Sequence, residues 1–286
     1  MALSDHAKGY LITLTGVVIL TPDTLLIRLA AVEPFTLAVT RGVMGGLMVL
    51  MISALWYRRS FMAQLRGIGF WALVVAVLQG VGLVLFVVAL DYTSAANVLV
   101  VFATTPLIAA AMAWGFFGER IPLVILAAIL VSLVGLVIVA SGSLGAGHLF
   151  GDILALLDAV SLAAYYVVIR RHREVDMIPA MGLRLLIAAV LALPLAAFPS
   201  VAPLQWLWIG LGGLVVVPFA SILVTHGARY LAAPEVTALM LLETVIGPFW
   251  VWLVLAEQPG IRTMIGGTII VTALFLHALV RLRRAG

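Results

Sequence analysis

The chain has 286 residues, 65% of them hydrophobic and 10% charged, with a formal net charge of +4 and no cysteine. At a mean hydropathy of +1.26 a water-soluble domain would carry far more apolar surface than one core could hide, so the bilayer must be the solvent. The missing cysteines exclude disulfides, thiolate chemistry and cysteine metal sites, and the sixteen basic residues form no aromatic-interleaved stripe of the kind a nucleic acid needs.

Crossing ~30 Å of hydrocarbon at 1.5 Å per helical residue takes ~20 residues. Ten apolar segments of about that length follow one another at 10–31, 34–56, 68–90, 95–117, 123–140, 152–170, 179–198, 205–228, 233–255 and 263–280. Residues 71–78 and 123–131 are apolar at every position, which excludes the alternating strands of a transmembrane barrel. The sequence therefore predicts an all-α integral membrane protein of ten transmembrane helices. The first begins near Gly9, behind a short polar leader, and is too long for a signal-peptide core, so it is expected to stay in the mature chain.

The arginines sort by loop. With the N-terminus in the cytoplasm, twelve basic residues lie inside, only Arg28 and Arg262 lie outside, and Arg41 and Arg184 fall within helices. Both termini are thus expected to be cytoplasmic. Trp56, Tyr57, Trp71, Trp206 and Trp208 fall near span boundaries and read as the interfacial aromatic belt.

The second five segments repeat the first five. A shift of 138 sets 90–140 on 228–278 without gaps, matching Tyr92 with Tyr230, Ala95 with Ala233, Trp114 with Trp252 and Glu119 with Glu257. A shift of 142 pairs Gly9 with Gly151, Val18 with Val160 and Arg28 with Arg170. Five helices per copy is an odd number, so the second copy reverses its orientation and the halves, 1–146 and 147–286, are expected to be inverted repeats forming one transport unit.

The stretch 89–121 carries Leu90-Asp91-Tyr92-Thr93-Ser94-Ala95-Ala96, Pro106-Leu107 and Gly118-Glu119-Arg120, and its repeat partner carries Tyr230, Ala233, Glu243 and Ala256-Glu257. Together with the helix count and the arginine in helices two and seven, these residues resemble the EamA-type branch of the drug/metabolite transporter superfamily over nearly the whole chain. The chain departs from that pattern at Thr244, where proline is common, and at Gln258. The resemblance implies an exporter of amino acids and related metabolites in a bacterial inner membrane. It also implies a cavity lined by helices one, three, four, six, eight and nine, with five and ten behind.

Polar groups at membrane depth are costly and are functional candidates for that reason. In chain order, Pro22 interrupts helix one beside Asp23, and a similar break is expected around Pro218 in helix eight; both are read as hinges, tolerated kinks being the alternative. Gln79, followed by Gly80 and Gly82, offers an amide to a substrate carboxylate or to another helix. Thr104 in helix four is a candidate contact unless it back-bonds to its own helix. Asp158, Ser161 and Tyr165 recur at i, i+3 and i+7, a polar stripe on helix six. Ser221 lies one turn beyond Pro218. Glu243 falls near the midplane, with Met240 and Trp250 on its face, where a carboxylate could hold an ammonium and the Met and Trp its side chain. An acid paired internally, with Arg41 for example, is the alternative. Glu119 and Glu257, at the ends of helices four and nine, read as gate anchors, and Arg41 and Arg184 as structural.

No nucleophile stands beside a base and no His-Glu zinc motif occurs, so a membrane enzyme is the weaker reading and no cofactor or metal is expected. The expected function is broad-specificity amino-acid export by alternating access, with exporters of drugs or other metabolites as the rival. The partners are then a small-molecule substrate and the lipid bilayer, with no nucleic acid; a monomer suffices, because a duplicated chain forms its own pseudo-symmetric pair.

Overall fold

The computed structural model describes residues 5–66, 68–117, 127, 130–131, 133–138, 141, 148–172, 178–198, 200–228, 230 and 233–285. Every regular element among them is helical. Six stretches are long and apolar enough to cross a bilayer: Ala7–Ala30, Pro34–Leu65, Phe70–Tyr92, Ala95–Phe116, Ile178–Leu195 and Pro203–Gly227. Helices Leu149–Arg171, Ala233–Leu255 and Ile261–Ala285 add 23, 23 and 25 residues. Most of the predicted fifth span lies outside the described residues.

Several predicted spans are interrupted helices. The first begins at Asp5, earlier than expected, and divides into α1 (Asp5–Leu20) and α2 (Asp23–Ala30). Pro22 has no N–H to give to Val18, and the carbonyl of Val18 takes the Thr21 hydroxyl at 2.9 Å instead. The second span is α3 (Pro34–Tyr57), followed by a short α4 (Phe61–Arg66), and the third is α5 (Phe70–Tyr92). The fourth divides at Ala103–Thr104 into α6 (Ala95–Phe102) and α7 (Thr105–Phe117), a break the sequence reading did not place. The sixth and seventh are α8 (Leu149–Arg171) and α9 (Ile178–Ala192), the latter ending six residues short of the predicted span. The eighth runs as α10 (Pro203–Gly210), a π-helical stretch Leu211–Val216 and α11 (Val217–Gly227). The break expected at Pro218 is thus displaced: a proline ring clashes with the carbonyl four residues back, and the wider turns before it relieve that clash. The ninth and tenth spans are α12 (Ala233–Leu255) and α13 (Ile261–Ala285).

Packing follows the internal repeat. The first span packs on the eighth and the sixth on the third; the third packs on the seventh and the second on the eighth; the first packs on the ninth and the sixth on the fourth. The second and seventh spans also pack on each other, as do the fourth and ninth. Exchanging spans one to four with six to nine turns each of these pairings into another of the set. The crossing of α3 and α9 is close enough that a Cβ on Gly42 would lie 2.6 Å from the Leu185 carbonyl oxygen, so only glycine fits there.

Described residues 31–33, 93–94, 196–198, 200–202 and 256–260 lie at a distal end, and 58–66, 68–69, 172, 228 and 230 share a terminal end with Asp5. The distal half holds an apolar cluster drawn from seven helices, including Leu25, Leu37, Leu90, Leu99, Ile209 and Val251, and a small one joining α3 to α9 through Ala38, Val39 and Ala192. The terminal half is split. One cluster joins α3, α5, α8, α9 and α11 through residues such as Val49, Val75, Met181 and Val217. A separate one joins α1 and α12 through Val17, Val236 and Leu239. Outward faces such as Leu47, Leu55 and Leu253 are exposed and apolar, as lipid-facing surface should be.

Candidate functional site

A cavity of about 170 Å³ lies beneath the distal cluster and between the two terminal ones. Its polar wall brings together residues far apart in the chain: Asp23, Gln79, Asp158, Tyr165, Ser221 and Glu243, with Met240 beside Glu243. Leu83, Phe86, Leu99 and Phe102 form its apolar, distal side, with the Phe86 and Phe102 rings 5.3 Å apart.

Three predicted contacts lie outside the cavity lining. Thr104 turns its hydroxyl back to the Val101 carbonyl at 2.6 Å; the break after Phe102 rotates Thr105 into the wall instead. Ser161 donates to the Leu78 carbonyl at 2.5 Å, joining α8 to α5 behind the wall. Trp250 donates its indole N–H to the Thr21 hydroxyl at 3.2 Å, pinning the break in the first span from outside the cavity.

The arginines divide. Arg41 ion-pairs with Asp23, both groups being almost wholly buried, so Glu243 is not its partner. A Cβ on Gly212 would lie 3.1 Å from Arg41 Nε; the π-helical stretch and its glycine therefore make the space this guanidinium occupies. Arg184, read from the sequence as structural, lines the cavity. Its Nη1 donates to Gln79 Oε1 at 3.1 Å and its Nη2 to Ser221 Oγ at 2.7 Å. Because the Gln79 oxygen faces Arg184, its Nε2 is left buried without a hydrogen-bond partner, as is the Thr105 hydroxyl. The only sequence signal for Arg184 was its depth in an apolar helix, which marks any intramembrane charge as costly.

The carboxylates differ as well. With Asp23 paired, Asp158 and Glu243 share the cavity, and neither makes a hydrogen bond or ion pair with a described residue. Among the described residues, the wall therefore presents one guanidinium with amide and hydroxyl groups, and two carboxylates that none of them pairs. Such a wall can hold an anionic and a cationic group of one solute at once.

The predicted hinge and gate residues lie as follows. Pro22 sits in the break between α1 and α2, and Asp23 begins α2. Glu257 is distal to the cavity, where it meets Arg28 at 3.4 Å, and Glu119 lies outside the described residues.

Comparison with known proteins agrees with this architecture. No curated protein matches the chain. A solved structure described only as "Crystal structure of protein" superposes with a TM-score of 0.66 at 21% identity, covering 97% of this chain and 99% of its own, a likeness of fold alone. The model of the EamA-like transporter family matches twice, over residues 7–141 and 149–279, once in each half. Two matches that together take in nearly the whole chain establish that it belongs to the EamA-like transporter family, a multi-pass membrane transporter of small metabolites.

Proposed function

We propose that this protein exports amino acids across a bacterial inner membrane by alternating access, through ten spans arranged as two inverted five-helix repeats with both termini cytoplasmic. The observation that carries the substrate reading is the Arg184 guanidinium in one wall with the carboxylates of Asp158 and Glu243, which no described residue hydrogen-bonds or ion-pairs. A zwitterion satisfies both: its carboxylate meets Arg184 and the Gln79 Nε2 amide, and its ammonium meets Glu243 or Asp158. A cation without a carboxylate would leave the arginine side unused, and an anion would leave two acids uncompensated.

Size supports the same reading. At ~30 Å³ per water, the cavity holds about five or six waters, the bulk of a small metabolite, and it falls below the ~300 Å³ at which drug-sized pockets begin. Met181, Met240 and the Phe86–Phe102 pair give side chains a repackable wall, which favours breadth over a single substrate. The cavity lies on the terminal side of the distal cluster, and the arginine distribution assigns that side to the cytoplasm, so this is a loading conformation for export.

Counterflow in proteoliposomes across amino acids, dipeptides, nucleosides and quaternary cations tests the reading. Amino acids should exchange and compete with one another, and Arg184→Ala should stop them. Flux confined to quaternary cations, with no competition from any amino acid, would replace this reading with drug export.

A further inference from the structure

We infer that Arg28 and Glu257 form a latch that holds the distal end of the cavity shut and must part before the cavity opens there; this rests on the alternating-access reading above. Arg28 closes α2, in the first repeat, and Glu257 follows α12, in the second. Arg28 Nη2 donates to the Thr93 carbonyl at 2.7 Å and lies 3.4 Å from Glu257 Oε1. The same Oε1 accepts the Ala95 backbone N–H at 3.2 Å. Three distal connections, after the first, third and ninth spans, are therefore fastened to one another through two side chains.

Thr93 shows why this fastening is the one that moves. Its hydroxyl donates to Asp152 Oδ1 at 2.9 Å, Asn97 Nδ2 donates to that hydroxyl at 3.2 Å, and Thr263 donates to Asn97 Oδ1. Those residues are all buried, and water cannot replace bonds broken there. The Arg28 and Glu257 side chains are instead 24% and 31% exposed, so water can take over each bond as it breaks. Exposed pairs of this kind shift an equilibrium by roughly two- to fivefold, enough to bias a gate and too little to jam it. Directly beneath lies the distal apolar cluster, which roofs the cavity, so loosening these connections admits solvent from that end only.

The chain has no cysteine, so Leu83→Cys places a single thiol on the cavity wall, with Val224→Cys as a second reporter. Sealed vesicles of each orientation are treated with a membrane-impermeant maleimide, in the otherwise unsubstituted protein and in R28A, E257Q, E257A and the R28A/E257A double variant. Labelling from the face opposite the termini should rise about two- to fivefold in each single variant and by less than the product of the two in R28A/E257A, because the Arg28–Glu257 contact is lost only once while the Thr93 and Ala95 bonds are each lost separately. Raising ionic strength should speed labelling of the unlatched protein little and of the latched protein more, toward the variants' rate. E257Q, which keeps an acceptor for the Ala95 N–H, separates loss of charge from loss of fold. Side-dependent labelling indifferent to all four variants, or multiplicative effects in the double, overturns the latch alone. Equal labelling from both faces, with or without amino acid present, overturns alternating access and the latch with it.

Discussion

The two ends of this bundle are built differently. At the distal end one apolar cluster gathers seven helices from both halves of the chain, with a smaller one between α3 and α9 beside it, and Arg28, Thr93, Ala95 and Glu257 bind the connections together. At the terminal end the apolar residues fall into two clusters that share no member, with the cavity between them. Aromatic contacts lie at this end as well: Trp71 stacks on His172 at 4.6 Å, and His226, at the end of α11, meets Trp56 of α3 and Tyr230 at 6.1 and 5.6 Å. Dispersion and apolar burial grow with continuous contact, so residues of the seven-helix distal cluster should cost more to truncate than residues of the smaller terminal ones.

The largest effect is expected at the place where neither end decides the outcome. Arg184→Ala removes both bonds that orient Gln79 and Ser221 and should weaken amino-acid binding by about 2–5 kcal/mol, roughly thirtyfold or more, by calorimetry on purified protein. Arg184→Lys should recover little, because a point-like ammonium cannot span both partners as the planar fork does. Binding unchanged in Arg184→Ala would remove the cavity from substrate recognition.

The contrast between the ends sharpens with one truncation in each. Leu90, in the distal cluster, is almost fully buried, and Leu90→Ala should lower stability by about 2–5 kcal/mol. Val236→Ala, in the smaller terminal cluster, deletes two carbons, about 1.6 kcal/mol at ~0.8 each. Thermal unfolding in detergent compares them; a larger loss at Val236 would reverse the order of the two ends. Gly42→Ala should cost about 1–3 kcal/mol, since the new Cβ meets a backbone carbonyl that cannot rotate away, and its melting temperature should fall accordingly.

The smallest effect is electrostatic and distal. Glu33 caps α3, its carboxylate accepting the Phe35 and Thr36 N–H groups at 2.8 and 2.7 Å and the Thr36 hydroxyl at 2.7 Å. Partial burial pushes this carboxyl up, but the Thr36 and Phe35 bonds outweigh it and hold it below its ordinary 4.5. A lowered folded value means the cap's contribution is complete above about pH 4.5 and is lost as pH falls through the lower value. The melting-temperature advantage over Glu33→Gln should therefore be present at neutral pH and vanish in acid; an advantage that grows on acidification contradicts the cap.

The fold was readable because its cause is length and composition: a segment such as 70–92 is apolar on every side and can only be a buried or lipid-facing helix. Its interruptions were half readable. Pro22 announces a break because proline lacks an N–H; Pro106 likewise has none to give the Phe102 carbonyl, a signal for the turn at Ala103–Thr104 that the sequence reading did not use, and the π-helical Leu211–Val216 starts seven residues before the proline that signals it. A one-residue shift in such a break turns a side chain by about 100°, and that is the difference between Thr104 and Thr105. The Asp158 and Tyr165 stripe needed only helical periodicity and reached the cavity, but Ser161 did not, since its partner is a carbonyl on another helix. Arg184 illustrates the limit: its role is set by Gln79, 105 residues earlier, and Ser221, 37 residues later, and no local pattern carries that distance.

The central claim is that the cavity binds a zwitterion across its two charged sides. Calorimetry on the purified protein with one amino acid, its decarboxylated amine and its deaminated acid tests this most directly. The amino acid should bind at least about tenfold more tightly than either truncated form, each of which forgoes one charge-assisted contact worth roughly 1.5–3 kcal/mol. An amine that binds as tightly as its amino acid, and keeps doing so in Arg184→Ala, would contradict the account.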